Sequence, residues 1–361
     1  MKKKLKDICT GFTKNIAQKE LDELNGDYEI YGASGLIKKI DYYISEVPYI
    51  GIVKDGSGVG RVNSYPAKSS LIGTMQYIVP NDDINLQYLM YALRSLNLGN
   101  LFKGAAIPHI YFKEYKEFNV NVPSLPEQQK IAAHLDSIQS AIDNKKQQLQ
   151  QLDELVKSKF VEMFGDVVQN SKNWDLIEFE QLGELARGVS KHRPRGAPEL
   201  LGGKYPLIQT GDVANCDTYI TEYTSTYSEL GLAQSKMWKA GCLCITIAAN
   251  IAKTGILTFD ACFPDSVVGF IPDEKVNELY MHLWFSFFQS ILEYQAPQTA
   301  QKNLNMATLG KLKICVPPIE LQNDFATFVQ KIDSAKSIIK TQLVDLQELL
   351  DSKMDEYFGG E

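Results

Sequence analysis

Apolar residues recur at steps of four and three along two well-separated stretches of this chain. In the first stretch the positions are Ile131, Leu135, Ile138, Ile142, Leu149, Leu152 and Val156, with Lys145 interrupting the stripe. In the second they are Phe325, Val329, Ile332, Ile339, Leu343, Leu346 and Leu350, with Lys336 as the interruption. That spacing predicts long helices carrying a narrow apolar seam. Each is entered through prolines, Val122-Pro123 and Val316-Pro317, which favour an extended lead-in. A narrow seam suits one partner helix, so the two stripes predict an antiparallel coiled coil about 50 Å long at about 1.5 Å per residue. The other arrangement the stripe allows is each helix packing on its own globular domain.

The two stretches are copies. Residues 122–166 align without a gap to residues 316–360, with 18 of 45 positions identical, SKFVEMFG matching SKMDEYFG. Continued backwards, the same register sets Ile110 on Leu304, Phe112 on Met306 and Phe118 on Leu312. Further upstream YLMYALRSL resembles YMHLWFSFF, and LKDICTG parallels LGELARG. The fold class expected is α+β: two strand-rich modules, 1–121 and 167–315, alternating with two similar helices, 122–166 and 316–361. An antiparallel pairing of the helices would relate the modules by a pseudo-twofold axis and hold two reading heads apart. Recognition of a split site on duplex DNA requires such an arrangement.

Outside the helices the pattern alternates. Around GIVKDGSGVGRV, residues 51–62, the flanks YIGIV and GRVNSY read as strands, and Asp55-Gly56 is a hairpin signal. Gly56, Gly58 and Gly60 form G-x-G-x-G, which is neither the dinucleotide fingerprint nor a P-loop. The reading is a glycine-tipped hairpin. In the second module ITIAANIAKTGIL fills the equivalent place.

At 361 residues the chain suits two or three domains. The six cysteines, at 9, 216, 242, 244, 262 and 315, include no C-x-x-C pair, and Cys242 and Cys244 fall on one side of an apparent strand. Buried thiols are expected, and the four dispersed histidines give no metal-site spacing, so no zinc or other metal is expected. No apolar stretch is long enough to span a membrane, and no apolar run follows MKKKLKDIC, which predicts a cytoplasmic protein without a secretory signal. The net charge of −7 argues against a polyanion partner until it is divided. It is +2 over residues 1–121, −2 over 122–166, −2 over 167–315 and −5 over 316–361, so the acidity lies largely in the helical segments.

With these elements in hand, the chain resembles the specificity subunits of type I DNA restriction-modification systems over essentially its whole length. The resemblance is carried by PSLPEQQKIAAHLD, by SKFVEMFGD followed by NSKNWDLIEFEQLGELARG, by YPLIQTGDV and by KDGSGVGRV. It implies that each module is a target-recognition domain reading one half of a bipartite DNA sequence, and that the helices space the modules and bind two modification subunits. Restriction subunits would complete the complex. S-adenosylmethionine, ATP and magnesium would belong to those partners, with no cofactor in this chain. The second copy departs from the pattern, reading PIELQN with only Gln322 of the glutamine pair. If those glutamines contact a modification subunit, the two docking surfaces differ.

DNA binding directs attention to particular side chains. Lys191-His192-Arg193-Pro194-Arg195 is a basic loop, in which proline keeps the cations out of a helix and lets Lys191, Arg193 and Arg195 follow phosphates. The same run also reads as an ordinary solvated face. The glycine hairpin offers Lys54, Ser57 and Arg61, with Asn250 and Lys253 at the equivalent tip. Base readout needs paired donors and acceptors, and QAPQTAQKN supplies Gln298, Gln301, Lys302 and Asn303, with Lys103 and His109 in its first-module counterpart. No methyltransferase D/N-P-P-Y/F tetrapeptide, nuclease carboxylate cluster or P-loop is present, so a non-catalytic subunit is expected. A coiled-coil interaction protein, or an enzyme binding nucleotide at the 55–61 hairpin, are the alternatives.

Overall fold

A computed structural model describes residues 1–101, 108–248, 251–295 and 305–359. The chain divides into two compact units, residues 1–147 with 339–361, and residues 148–338. Each unit is therefore completed by half of each long helix.

The first unit contains the strands β1 (Lys2–Lys4), β2 (Cys9–Phe12), β3 (Tyr49–Val53), β4 (Val62–Tyr65) and β5 (Met75–Pro80). They are followed by α1 (Leu86–Ser95), β6 (Asn119–Asn121) and the 40-residue α2 (Leu125–Phe164). The second unit holds β7 (Asp175–Glu178), β8 (Gly183–Arg187), β9 (Leu243–Thr246), β10 (Thr254–Leu257), β11 (Val267–Pro272), α3 (Glu278–Gln295) and β12 (Lys313–Val316). It is followed by the 40-residue α4 (Ile319–Phe358).

The two units repeat one antiparallel scaffold. The order β2–β5–β3–β4 in the first is matched by β8–β11–β9–β10 in the second, where Tyr219–Ile220 adds a parallel edge strand. Registers correspond as well, Ile50 facing Ile78 as Leu243 faces Phe270. The central strands are buried on both faces, and their alternation decides which residue goes where. Ile50 and Ile52 pack with Leu89 and Leu93 of α1, while Tyr49 and Val53 enter a separate cluster with Tyr77. In β9, Leu243 and Ile245 face the side of α3, whereas Cys242 and Cys244 share the opposite cluster, as the spacing of the cysteines predicts. Five cysteines are buried and Cys216 is half-buried, none in a disulfide. Burial pushes the Cys9 thiol up to about 12, so it stays protonated and unreactive near neutral pH.

The helices do both things their stripe allows. In the first unit Ile131, Leu135, Ile138 and Ile142 of α2 pack with Leu343, Leu346 and Leu350 of α4, and also with the module core around Tyr88. In the second unit Val156, Phe160 and Phe164 meet Phe325, Val329 and Ile332, and also Tyr280 and Trp284. His134 Nδ1 lies 2.9 Å from Tyr357 Oη, and Lys336 pairs with Asp153, so early residues of one helix meet late residues of the other: the pairing is antiparallel. Lys336, the break in the second stripe, is thereby matched by a facing carboxylate.

One glutamine in each proline-led entry is structural. Gln128 is 1% exposed, accepting from the Asn85 amide at 2.8 Å and donating to the carbonyls of Asp83 (3.3 Å) and Pro123 (3.0 Å). Gln322 repeats this with Asn277 (2.9 Å), Lys275 (3.0 Å) and Pro317 (2.7 Å), and is fully buried. Each clasps a long helix to the loop before its module's shorter helix. Neither is available to another subunit; the copies differ at the next position, where Gln129 and Asn323 are both exposed. Likewise Tyr88 and Tyr280 each donate at 2.6 Å to the carbonyls of Asn121 and Cys315, tying α1 to β6 and α3 to β12.

Candidate nucleic-acid interface

The glycine-rich stretch joins β3 to β4, whose register runs from Tyr49 opposite Tyr65 to Ile52 opposite Val62. No helix follows it, so the context of a nucleotide-binding loop is absent. Residues 54–61 fold back in successive turns, with the Val59 amide on the Gly56 carbonyl (3.1 Å), Arg61 on Gly58 (3.1 Å) and Gly60 on Val53 (2.8 Å). Gly60 has φ +84 and lies so close to the next segment that a Cβ would sit 2.1 Å from the Gly99 nitrogen. Only glycine fits there.

Backbone bonds from Gly56 to Pro108 (3.1 Å) and from Ile110 to Lys54 (2.9 Å) lay the loop beside the segment carrying His109. Lys54, Ser57, Arg61 and His109 are thus brought together on one side of the first module. They are not equally free: Lys54 pairs with Asp55 at 2.5 Å and is 11% exposed, whereas Ser57 and Arg61 are exposed. Behind the loop a groove of about 430 Å³ is lined by Arg61, Asn63, Arg94, Asn97 and Asn100. Arg94 is fixed there by the Val62 carbonyl and Asn63 Oδ1, both at 3.0 Å. The sequence reading missed Arg94, Asn97 and Asn100, although R-x-x-N-x-x-N across a helix end places all three on adjoining turns.

In the second module the basic loop is held by its own neighbours. Gln234 Oε1 accepts from the amides of Lys191 (2.6 Å) and His192 (3.0 Å), and Arg193 donates to the Ser190 carbonyl (2.6 Å). Arg193 and Arg195 face Asp265 at 3.5 and 2.5 Å, so two of the three cations already have a carboxylate partner, while Lys191 is exposed. Such half-exposed pairs contribute little to stability. Arg195, Asp265 and Arg187 share a cavity of about 210 Å³ with Ile247 and Ala248, the start of the β9–β10 connection. That connection is anchored by buried Ile251 and Ala252 and leaves Lys253 exposed. Lys103, Asn250, Gln298, Gln301, Lys302 and Asn303 lie outside the described residues. Among the described residues no group of three His, Cys, Asp or Glu side chains could hold a metal ion, and no helix is long and apolar enough to cross a membrane.

A double scaffold with polar loops on each copy has a counterpart among known proteins. The model of the type I restriction modification DNA specificity domain matches residues 1–154 and again residues 171–348. The chain belongs to this family. It is 21% identical over 321 residues to the EcoBI type I restriction enzyme specificity subunit of Escherichia coli, covering 78% of this chain and 67% of that one. Its fold matches that of a type I restriction-modification S subunit from M. genitalium, with TM-score 0.65 and 15% identity over 100% of this chain and 96% of the other. It also matches a chain from a structure describing complex assembly and conformational transition of a type I R-M system, with TM-score 0.56 and 14% identity over 99% and 97%. The two segments matched to the specificity domain each contain one antiparallel scaffold and one glutamine clasp.

Proposed function

We propose that this specificity subunit reads a two-part target on duplex DNA, one part per module, and brings two modification subunits and the restriction subunits to it without itself catalysing a reaction. The observation that carries the reading is the contrast between scaffold and loops. The strand order, the glutamine clasp and the tyrosine tie are made twice, yet the loops projecting from the two copies share almost no residues. A common frame with two different surfaces suits two different half-sites.

In this reading Arg61, Ser57, Lys54 and His109 with Arg94 form the DNA-facing side of the first module, and Lys191, Arg193, Arg195 and Lys253 that of the second. The cations contact phosphates, displacing Asp265 where necessary, and the amide side chains read bases. Lys103, Asn250, Gln298, Gln301, Lys302 and Asn303 remain candidates for the same surfaces. S-adenosylmethionine, ATP and magnesium are assigned to the partner subunits, and the complex works in the cytoplasm. The test is an exchange of residues 167–315 for those of a relative, followed by mapping of methylated adenines in cells carrying the chimera and its modification partner. One half-site should change and the other persist. A change in both would refute independent reading heads.

A further inference from the structure

A cavity of about 500 Å³ opens on the first module, within the ~300–1,000 Å³ of ligand clefts. Its lining includes the rings of Phe12, Tyr111 and Phe112, the cations Lys113 and Lys116, and the amide of Gln76. The site depends on a glycine. A Cβ at Gly11 would fall 2.4 Å from the Phe112 ring, so the bare backbone of β2 lets that ring lie against the strand. The ammonium groups of Lys54 and Lys113 each lie 5.5 Å from the centre of the Tyr111 ring, giving the aromatic wall a positive border.

Gln76 is the unusual member. It sits on β5, is 1% exposed, and its amide nitrogen reaches the Ile110 carbonyl only at 3.5 Å, the long limit of a hydrogen bond. The second module shows that the scaffold does not require it. Gln76 faces Ile52 across the sheet, and at the corresponding place Val268 faces Ile245. Gly11 faces Ile78, and there Leu185 faces Phe270. Where the first module keeps a buried amide and a bare strand, the second has two apolar side chains.

We propose that this cavity takes a nucleobase turned out of the target DNA, and that adenine is the base it fits. An amide offers one donor and one acceptor, the pair that adenine's exposed edge complements. The aromatic side chains stack on the base, and Lys113 with Lys116 holds the adjoining phosphates. Gln76 is then a specificity residue of the first module. The inference rests on the DNA-reading function proposed above.

Two measurements test it. Titration calorimetry of the full-length chain with each of the four deoxynucleoside monophosphates should show deoxyadenosine monophosphate binding at least ten-fold tighter than the others, and Gln76→Val should abolish that preference. Equal binding of all four, or of none, overturns the proposal. In the complex with the modification subunit, Gln76→Val, which installs the residue the second module carries, should relax discrimination at one adenine of one half-site at least ten-fold and leave the other half-site intact. An unchanged methylated motif overturns the pocket while leaving the two-head reading standing. A wild-type complex with no sequence preference would instead refute the two-head reading, and the nucleotide titration would still decide the pocket.

Discussion

His282 on α3 is 8% exposed, with Nδ1 2.9 Å from the Thr254 hydroxyl on β10. Burial disfavours the imidazolium and lowers its pKa from 6.5 to about 4. A base held neutral in the folded state binds fewer protons there than in the unfolded chain. Its contribution to stability is therefore full above pH 6.5 and is lost as the pH falls from about 6.5 towards 4. Between pH 7 and pH 5 the linkage amounts to about 1.8 kcal/mol. The first module solves the same packing problem without a titratable group: strand and helix registers place Val62 where Thr254 lies and Met90 where His282 lies, both buried. The double change Thr254→Val with His282→Met should accordingly remove about 1.8 kcal/mol of acid sensitivity without orphaning a hydroxyl. All three tryptophans, Trp174, Trp238 and Trp284, lie in the second unit, so their fluorescence during urea unfolding reports that unit alone. At a slope of about 2 kcal/mol per molar urea, the wild-type midpoint should fall between pH 7 and pH 5 by roughly 1 M more than that of the variant. Equal shifts in the two proteins would refute the assignment of this acid sensitivity to His282.

The glutamine clasps predict a division of effects: Gln322→Ala should destabilise the tryptophan-reported unit by about 2–4 kcal/mol through three lost hydrogen bonds and newly unpaired buried groups, while Gln128→Ala should leave that fluorescence transition nearly unmoved and lower protection of α1 amides in hydrogen exchange. Replacing Lys191, Arg193 and Arg195 together with alanine should weaken binding to every DNA sequence and flatten the slope of log affinity against log salt by up to about three contacts. An unchanged slope in a binding titration would return the loop to ordinary solvated surface. Glu117, drawn down to about 2 by Lys6 and Lys4, should keep its charge to low pH, and Glu117→Gln should lower stability by a constant amount above the normal carboxylate value of 4.5, with the difference shrinking as the pH falls from there towards 2 in thermal melts.

Periodicity exposed the helices, the repeat and the fold class, because burial of a helix face or a strand face imposes a spacing that survives in one dimension. Copying the pattern twice exposed the two modules for the same reason. The extent of the helix seam was only half legible, since Phe160 and Phe164 continue the stripe but spend their apolar surface on the second module as well as on α4. Buried polar residues were the least legible. Gln128 and Gln322 look like surface residues in a polar run, and only the folded chain brings Asn85 and Asn277, more than forty residues away, to bond with them. The same holds for the candidate sites. Composition marked the basic loop and the glycine hairpin, but Asp265 facing Arg195 and Gln76 beside Tyr111 depend on strand order and register. Local spacing is determined by which face of an element must be dry; the company a polar side chain keeps is decided by contacts between distant segments, and only the tertiary structure contains those.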